Sequence, residues 1–164
     1  MLSALGRNRA IRFAAIIAAG LAMSACARNQ NAQDPNLAGT AVPGSPQDFV
    51  VNVGDRVFFE SDSSELSSTA QATLDKQARW LQQYARYSFT IEGHADERGT
   101  REYNFALGAR RAEVTKDYLV ARGIPASRIK TISYGKERPV AVCNDISCWS
   151  QNRRAVTVLR GGQS

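Results

Sequence analysis

The residues best suited to chemistry lie in one stretch, GHADERGTREYN, at positions 93–104. It combines a histidine, acids, arginines and two glycines in a single cluster. The carboxylate of Asp96 can accept hydrogen bonds from an ammonium group, and Arg111, further along, can donate two parallel hydrogen bonds to a carboxylate. A pocket that holds both residues would suit a ligand that carries an ammonium and a carboxylate.

The cluster lies between a predicted strand and a predicted helix. Residues 88–94 alternate in polarity and predict a strand with Phe89 and Ile91 facing inward. Thr100 can cap a helix that ends at Gly123. Ligands of open α/β sheets favour the carboxyl ends of strands, and a helix N-terminus attracts anions. The sequence therefore places this cluster where binding sites commonly form.

Arg111 occupies an unusual position on the predicted helix. It lies within about 40° of the stripe formed by Leu107, Val114 and Tyr118, where an apolar residue would normally pack. Because arginine is rarely fully buried without a partner, Arg111 needs a nearby carboxylate or an anionic ligand. The sequence leaves both interpretations open: a structural ion pair with Asp96, or a binding site that uses both residues.

Further elements complete the predicted domain. Residues 49–59 are rich in valine and phenylalanine and predict a strand interrupted at Gly54. Ser68 and Gln71 predict a capping box for a helix that extends to about Ala85.

Two more strands are predicted at residues 129–134 and 154–160. The order β-α-β-α-β-β predicts an α+β domain in which helices pack on one face of a mixed four-stranded sheet.

A targeting segment precedes the domain. Arginines followed by a short apolar run predict a signal peptide over residues 1–25, too short to span a bilayer. Met23 to Cys26 resembles the bacterial lipobox, and Ala27 resembles an outer-membrane sorting signal. Several acyl chains on Cys26, palmitate among them, would hold the protein on a membrane. The alternative is an ordinary secretory signal followed by a free Cys26.

The segment between the signal peptide and the domain has no apolar periodicity. Residues 26–48 contain three prolines among glycine, asparagine, glutamine and serine, which predicts a flexible linker. The folded domain is predicted to span residues 49–164.

Composition excludes several functions. The 164 residues are 43% hydrophobic and 22% charged, as expected for one globular domain with appendages. The net charge of +6 falls to +3 without residues 1–25, which hold three arginines and no acid. This mild charge predicts no nucleic-acid partner.

Metal binding and catalysis are also not predicted. His94 is the only histidine, the cysteines form no CxxC pair, and no serine lies in a recognisable catalytic motif. The sequence therefore predicts no cofactor, no metal and no enzymatic activity.

Cys143 and Cys148 are predicted to form a disulfide. A protein with a signal peptide matures in an oxidising compartment, and lipidation of Cys26 would leave these two cysteines to each other. Four intervening residues allow the turn that a bridge needs. The alternatives are two free thiols or a bound metal.

Four motifs in order carry a resemblance to a known family: GHADERGTREYN, LGARRAEVTKDYL (107–119), ISYGKERP (132–139) and NRRA (152–155). Together they resemble the peptidoglycan-associated lipoproteins of the Tol-Pal system, in the superfamily of outer membrane protein A C-terminal-like domains. The resemblance covers residues 49–160. It implies that the domain binds the peptide stem of peptidoglycan without a covalent bond and grips the free end of diaminopimelate.

The resemblance also implies which residues bind the stem. The family's ligand-binding aspartate falls on Asp96 and its arginine on Arg111, and the same match brings in Glu97, Gly99, Thr100, Asn104, Leu107, Phe59 and Asp62. Asn104 is expected to support the loop. Glu60 stands where the family usually has aspartate, so the match there rests on Asp62.

The implied function is a link between the outer membrane and the cell wall, with the domain facing the periplasm. Such a link supports envelope integrity and constriction of the outer membrane at cell division. The implied partners are peptidoglycan and the periplasmic β-propeller protein of the Tol system. Two other interpretations remain open: a cell-wall amidase or metal-dependent hydrolase, and a mainly structural surface protein.

Overall fold

The structure is a computed structural model that describes residues 41–161. The predicted signal peptide, the predicted lipidation site Cys26 and the first part of the predicted linker lie outside the described residues. Within the described part of the chain, no helix combines the length and apolar character that a membrane crossing requires.

The sheet has four strands in the order β1-β4-β2-β3: β1 (Arg56–Phe58), β2 (Ser88–His94), β3 (Ile129–Gly135) and β4 (Arg154–Arg160). β2 and β3 run parallel, whereas β4 is antiparallel to both β1 and β2. This arrangement confirms the predicted α+β fold with a mixed four-stranded sheet.

Two long helices cover one face of this sheet: α1 (Ser68–Gln83) and α2 (Arg101–Ala121). Apolar residues of α1 recur at helical spacing, and Leu74 and Leu81 are fully buried. They join one core with Phe89 and Ile91, the residues of β2 predicted to face inward. Since helix stability in proteins comes mainly from such packing, this shared core fixes α1 on the sheet.

The helix boundaries agree closely with the sequence, with one change of cap. Ser67, not Ser68, caps α1: its hydroxyl accepts a hydrogen bond from the backbone N–H of Ala70 at 3.2 Å. Thr100 caps α2, and Gly123 follows its end with a positive φ of 90°, as predicted.

The folded region begins earlier than the predicted boundary at residue 49. Residues 41–48, predicted as linker, pack on the domain: the indole N–H of Trp80 donates to Asp48 at 2.8 Å, and the Tyr87 hydroxyl donates to the Gly44 carbonyl at 2.8 Å. Proline and serine here start a helical turn, Pro46–Asp48, rather than a flexible stretch.

Residues 49–53 correct a second prediction. They form a π-helical turn, Phe49–Val53, and the strand predicted over residues 49–59 is reduced to β1. Phe49 is fully buried, and its ring lies 4.9 Å from that of Trp80. Tertiary packing of this aromatic residue therefore overrides the strand preference of the local sequence.

A third helix was not predicted: α3 (Ile146–Asn152), capped by the side chain of Asp145. Cys148 in this helix forms a disulfide with Cys143 before it, and the two Cα atoms are 5.7 Å apart. The two sulfur atoms are therefore bonded to each other, the arrangement expected from an oxidising compartment. Asp145 and the bridge together define this short helix.

α2 approaches β2 unusually closely at the end of the strand that leads to the cluster. A Cβ atom on Gly93 would lie 1.8 Å from the backbone oxygen of Gly108. The helix and the strand could therefore not approach this closely if Gly93 carried a side chain. The close approach brings Asn104, Leu107 and Arg111 of α2 beside the loop that follows β2.

Candidate functional site

An open pocket of about 380 Å³ lies where β2 ends and α2 begins. Its lining residues come from three segments of the chain: Ser61, Asp62, Asp96, Arg98, Gly99, Tyr103, Asn104 and Leu107. The structure thus brings together Asp62, Asp96, Gly99, Asn104 and Leu107 of the predicted site.

The loop at residues 95–100 is held by backbone and side-chain contacts. The Asn104 amide donates to the carbonyls of Arg98 at 2.7 Å and Thr100 at 3.0 Å. The Lys136 ammonium donates to the carbonyl of Gly99 at 2.7 Å, and Gly99 has a φ of +84°, which favours glycine. Asn104 therefore supports the loop, the role expected for it.

Asp96 is an ionised carboxylate that already holds a cation. Arg98 donates to both of its oxygens, from Nε at 3.0 Å and Nη2 at 2.7 Å, and Arg153 Nη1 lies 3.5 Å away. Burial raises the pKa of Asp96, but the hydrogen bonds and charge of Arg98, with a contribution from Arg153, outweigh burial and hold the pKa below its ordinary value. Asp96 is thus charged at neutral pH.

Arg111 corrects a prediction: its guanidinium does not face the pocket, where it could donate two hydrogen bonds to a ligand carboxylate, but lies behind the lining and is fully buried. Its guanidinium donates to three backbone carbonyls, those of Ser63 at 2.8 Å, His94 at 2.8 Å and Glu60 at 3.1 Å. It also lies 5.1 Å from the centre of the Phe59 ring. Arg111 therefore ties the loop after β1 to the end of β2.

Arg111 keeps its positive charge despite this burial. Burial and, to a smaller extent, the charge of Arg153 lower its pKa to about 10, while Asp96 and Asp62 act in the opposite direction. A guanidinium has five N–H groups, and the bonds to carbonyls account for three of them. Because Asp96 pairs with Arg98 and Arg153, the interpretation of a structural pair between Asp96 and Arg111 is wrong.

Besides Arg111, three predicted site residues lie around the pocket rather than in its lining. Thr100 caps α2, and Phe59 lies beside Arg111. The Glu97 carboxylate accepts a hydrogen bond from the indole N–H of Trp149. These residues hold the loop and the buried arginine in position.

Three lining residues were missed by the sequence analysis. Arg98 pairs with Asp96 and also donates to the Ser61 hydroxyl at 2.8 Å, and the Tyr103 hydroxyl donates to the Asp62 carboxylate. Arg98 could have been found, because it lies in the quoted cluster two residues after Asp96. Ser61 and Tyr103 reach the pocket only through the tertiary fold.

His94 lies beneath the loop and not in the pocket. Within residues 41–161, neither ring nitrogen has a hydrogen-bond partner, and its nearest carboxylate, Glu92, lies 3.7 Å away. Burial, with the charges of Arg154 and Arg138, lowers the pKa of His94 to about 4. His94 is therefore neutral at physiological pH and packs as part of the protein interior.

Comparisons with known proteins show the family of the chain. Residues 58–153 match the model of the OmpA family. The chain is 64% identical over 149 residues to the peptidoglycan-associated lipoprotein of Rhizobium meliloti, covering 88% of this chain and 85% of that protein. It is also 64% identical over 146 residues to the peptidoglycan-associated lipoprotein of Brucella melitensis, covering 86% and 87%.

Solved structures show the same fold. The crystal structure of the peptidoglycan-associated lipoprotein from Burkholderia pseudomallei has a TM-score of 0.63 and 40% identity, over 65% of this chain and 90% of that one. The C-terminal domain of Helicobacter pylori MotB has a TM-score of 0.62 at 20% identity, over 66% and 85%. The second likeness extends to the fold alone.

Proposed function

The chain belongs to the OmpA family, among the peptidoglycan-associated lipoproteins, and on this premise we propose that its pocket binds the peptide stem of peptidoglycan. The free end of diaminopimelate carries an ammonium and a carboxylate, so it needs one anionic and one cationic partner. Asp96 and Arg111 offer these two charges at the end of β2.

The observation that carries this proposal is the cation already bound to Asp96. The Arg98 guanidinium donates to both carboxylate oxygens within 3.0 Å, which an ammonium can do in its place. Charge-assisted hydrogen bonds of this kind are stronger than neutral ones. The ligand ammonium would pair with Asp96 and displace at least part of the Arg98 side chain, which is 44% exposed.

The ligand carboxylate would approach the cationic side of the site. Arg111 supplies a fixed positive charge behind the lining, and the N-terminus of α2 adds the partial positive charge of its free N–H groups. Leu107 and the ring of Tyr103 offer apolar surface for the methylene chain between the two charged ends. Both charges and the spacer then have a partner.

We propose the wider arrangement from the relatives. As a cell-envelope lipoprotein, the chain would carry lipid on Cys26 in the outer membrane after removal of residues 1–25. The residues between Cys26 and the folded region would form the tether to the periplasmic domain. Through the wall and the β-propeller protein of the Tol system, this arrangement would support envelope integrity and constriction at division.

Co-sedimentation with purified sacculi tests the proposal. The protein should pellet with sacculi in a saturable manner, free diaminopimelate should compete, and Asp96→Asn should remove binding. Asp75→Asn is a matched control, because Asp75 also pairs with an arginine at 2.7 Å but lies on α1 outside the pocket. Binding that survives in Asp96→Asn would contradict the site.

The same incubation separates binding from hydrolysis. A binding protein leaves the stem peptides intact, so the muropeptide profile of the sacculi should be unchanged after prolonged incubation. New cleavage products that depend on the protein would favour the amidase or hydrolase instead.

A further inference from the structure

The unpredicted helix α3 contacts the loop that carries Asp96. The central carbon of the Arg98 guanidinium lies 4.2 Å from the centre of the Trp149 ring, and the indole N–H donates to the Glu97 carboxylate. One aromatic side chain thus holds both residues that follow Asp96. Cation–π contacts of this kind are attractive even where solvent reaches them.

The disulfide fixes the position of Trp149. Cys148, which precedes Trp149 in α3, is buried and bonded to Cys143. A helix of seven residues is far too short to be stable alone, so it depends on this bridge and on the Asp145 cap, whose side chain accepts from the N–H of Ser147 at 2.8 Å. The bridge therefore helps to fix the place where the indole meets the loop, together with the buried Asn152 side chain, which bonds to the backbone of Ala141.

We propose that Trp149, held by the disulfide between Cys143 and Cys148, is a positioning residue for stem binding. It orders Glu97 and Arg98 before the ligand arrives, so their side chains lose less freedom on binding. This inference rests on the proposed function, because the ligand is the stem peptide that Asp96 and Arg111 are proposed to bind.

The physical basis is preorganisation of the loop. Immobilising a flexible side chain on binding weakens the affinity, and Trp149 already restrains two such side chains in the free protein. When a ligand ammonium displaces Arg98 from Asp96, the indole face keeps the guanidinium beside the pocket. The contact of Arg98 with Trp149 does not use the N–H groups, so these remain available to an anionic group of the stem.

The test measures the affinity of the full-length chain for the soluble tripeptide L-Ala–γ-D-Glu–meso-diaminopimelate. Trp149→Ala and the double variant Cys143→Ser with Cys148→Ser should each bind about tenfold more weakly. Trp149→Phe keeps a ring beside Arg98 but loses the N–H bond to Glu97, so its affinity should lie between these variants and the unchanged protein.

Trp80→Phe is the matched control. Trp80 also donates its indole N–H to a carboxylate, that of Asp48, in a separate part of the domain. Its substitution should leave the affinity for the tripeptide within about twofold of the unchanged protein. A spectroscopic measurement completes the test: the indole N–H resonance of Trp149 should shift on addition of the tripeptide, and that of Trp80 should not.

The outcomes are distinguishable. If the unchanged protein binds the tripeptide and the Trp149 and cysteine variants bind equally well or more tightly, this inference is wrong and the proposed function stands. Equal weakening in Trp80→Phe would show a general loss of stability and would also overturn it. If the unchanged protein does not bind the tripeptide, both proposals fall.

Discussion

The two tryptophans make the same bond in two different surroundings. Trp80 donates its indole N–H to Asp48 within a buried aromatic group, with ring centres 4.9 Å from Phe49 and 5.3 Å from Tyr87. Trp149 donates to Glu97 at the edge of an open pocket, where Arg98 covers its ring. The hydrogen bond of Trp80 lies at the edge of the buried core, and that of Trp149 lies beside the candidate binding site.

The difference shows how this fold separates stability from binding. At the packed end of the domain, around Trp80, the segment before β1 covers the aromatic rings. The Trp80 indole N–H and the Tyr87 hydroxyl both have hydrogen-bond partners within the protein. At the open end of the domain, around Trp149 and the pocket, charged groups pair with one another but remain accessible to a ligand. The pair of Arg98 with Asp96 is the example. Substitutions at the two ends should therefore change different measurements.

Substitution of Arg111 should have the largest effect on the free energy of unfolding, because this residue lies at the open end of the domain but is fully buried. Arg111→Ala would leave three backbone carbonyls without their donor. Each buried acceptor that loses its partner costs about 1–3 kcal/mol, so the loss of all three should cost about 3–5 kcal/mol in total. We expect that decrease in the free energy of unfolding by chemical denaturation. Arg110→Ala, on the neighbouring exposed position, should have little effect, and equal stability of both variants would contradict the role of Arg111.

His94 gives the next largest effect, through pH. Its folded pKa of about 4 lies below its ordinary 6.5, so the unfolded chain binds a proton more readily. The contribution of His94 to the free energy of unfolding is therefore present above pH 6.5 and decreases by roughly 3 kcal/mol as the pH falls towards 4.

Denaturation curves between pH 7 and 4 measure this change. His94→Leu should remove the contribution of His94 from this range. Asp96 affects a lower range, because its depressed pKa gives stability that is lost only as the pH falls through its folded value. A wild-type profile identical to that of His94→Leu would contradict the neutral buried histidine.

Substitutions of the two tryptophans should have the smallest effects on the free energy of unfolding. Trp80→Phe leaves Asp48 without its indole partner in the packed end and should lower the free energy of unfolding by about 1–3 kcal/mol. Trp149→Phe should lower it by less than about 1 kcal/mol, because its contacts are at the surface. Thermal and chemical unfolding of both variants measure the order, and a reversed order would contradict the distinction between the two ends.

The sequence predicts the regular elements well where periodicity is clear. The bounds of β2 and β4 agree with their patterns, and the Thr100 cap and Gly123 mark both ends of α2. It fails at Phe49–Val53, where burial of an aromatic residue decides the conformation, and at α3, which depends on a disulfide and a side-chain cap.

The candidate site is predictable in composition but not in its pairing. Asp96, Gly99, Asn104 and Leu107 line one pocket. The sequence offers two partners for Asp96, the nearby Arg98 and the more distant Arg111, and only three-dimensional geometry decides between them. Trp149 reaches Glu97 across 52 positions of sequence, a distance that no local pattern encodes.

The central claim is that Asp96 and the positive charge of Arg111 together recognise both charged groups at the end of the stem. Titration of the protein with two stem peptides, one ending in diaminopimelate and one in lysine, tests it most directly. Lysine keeps the ammonium but lacks the second carboxylate, so we expect it to bind at least about tenfold more weakly, and Asp96→Asn to lose about 2–5 kcal/mol of binding to the diaminopimelate peptide. Equal affinity for the two peptides, or unchanged affinity in Asp96→Asn, would contradict the account.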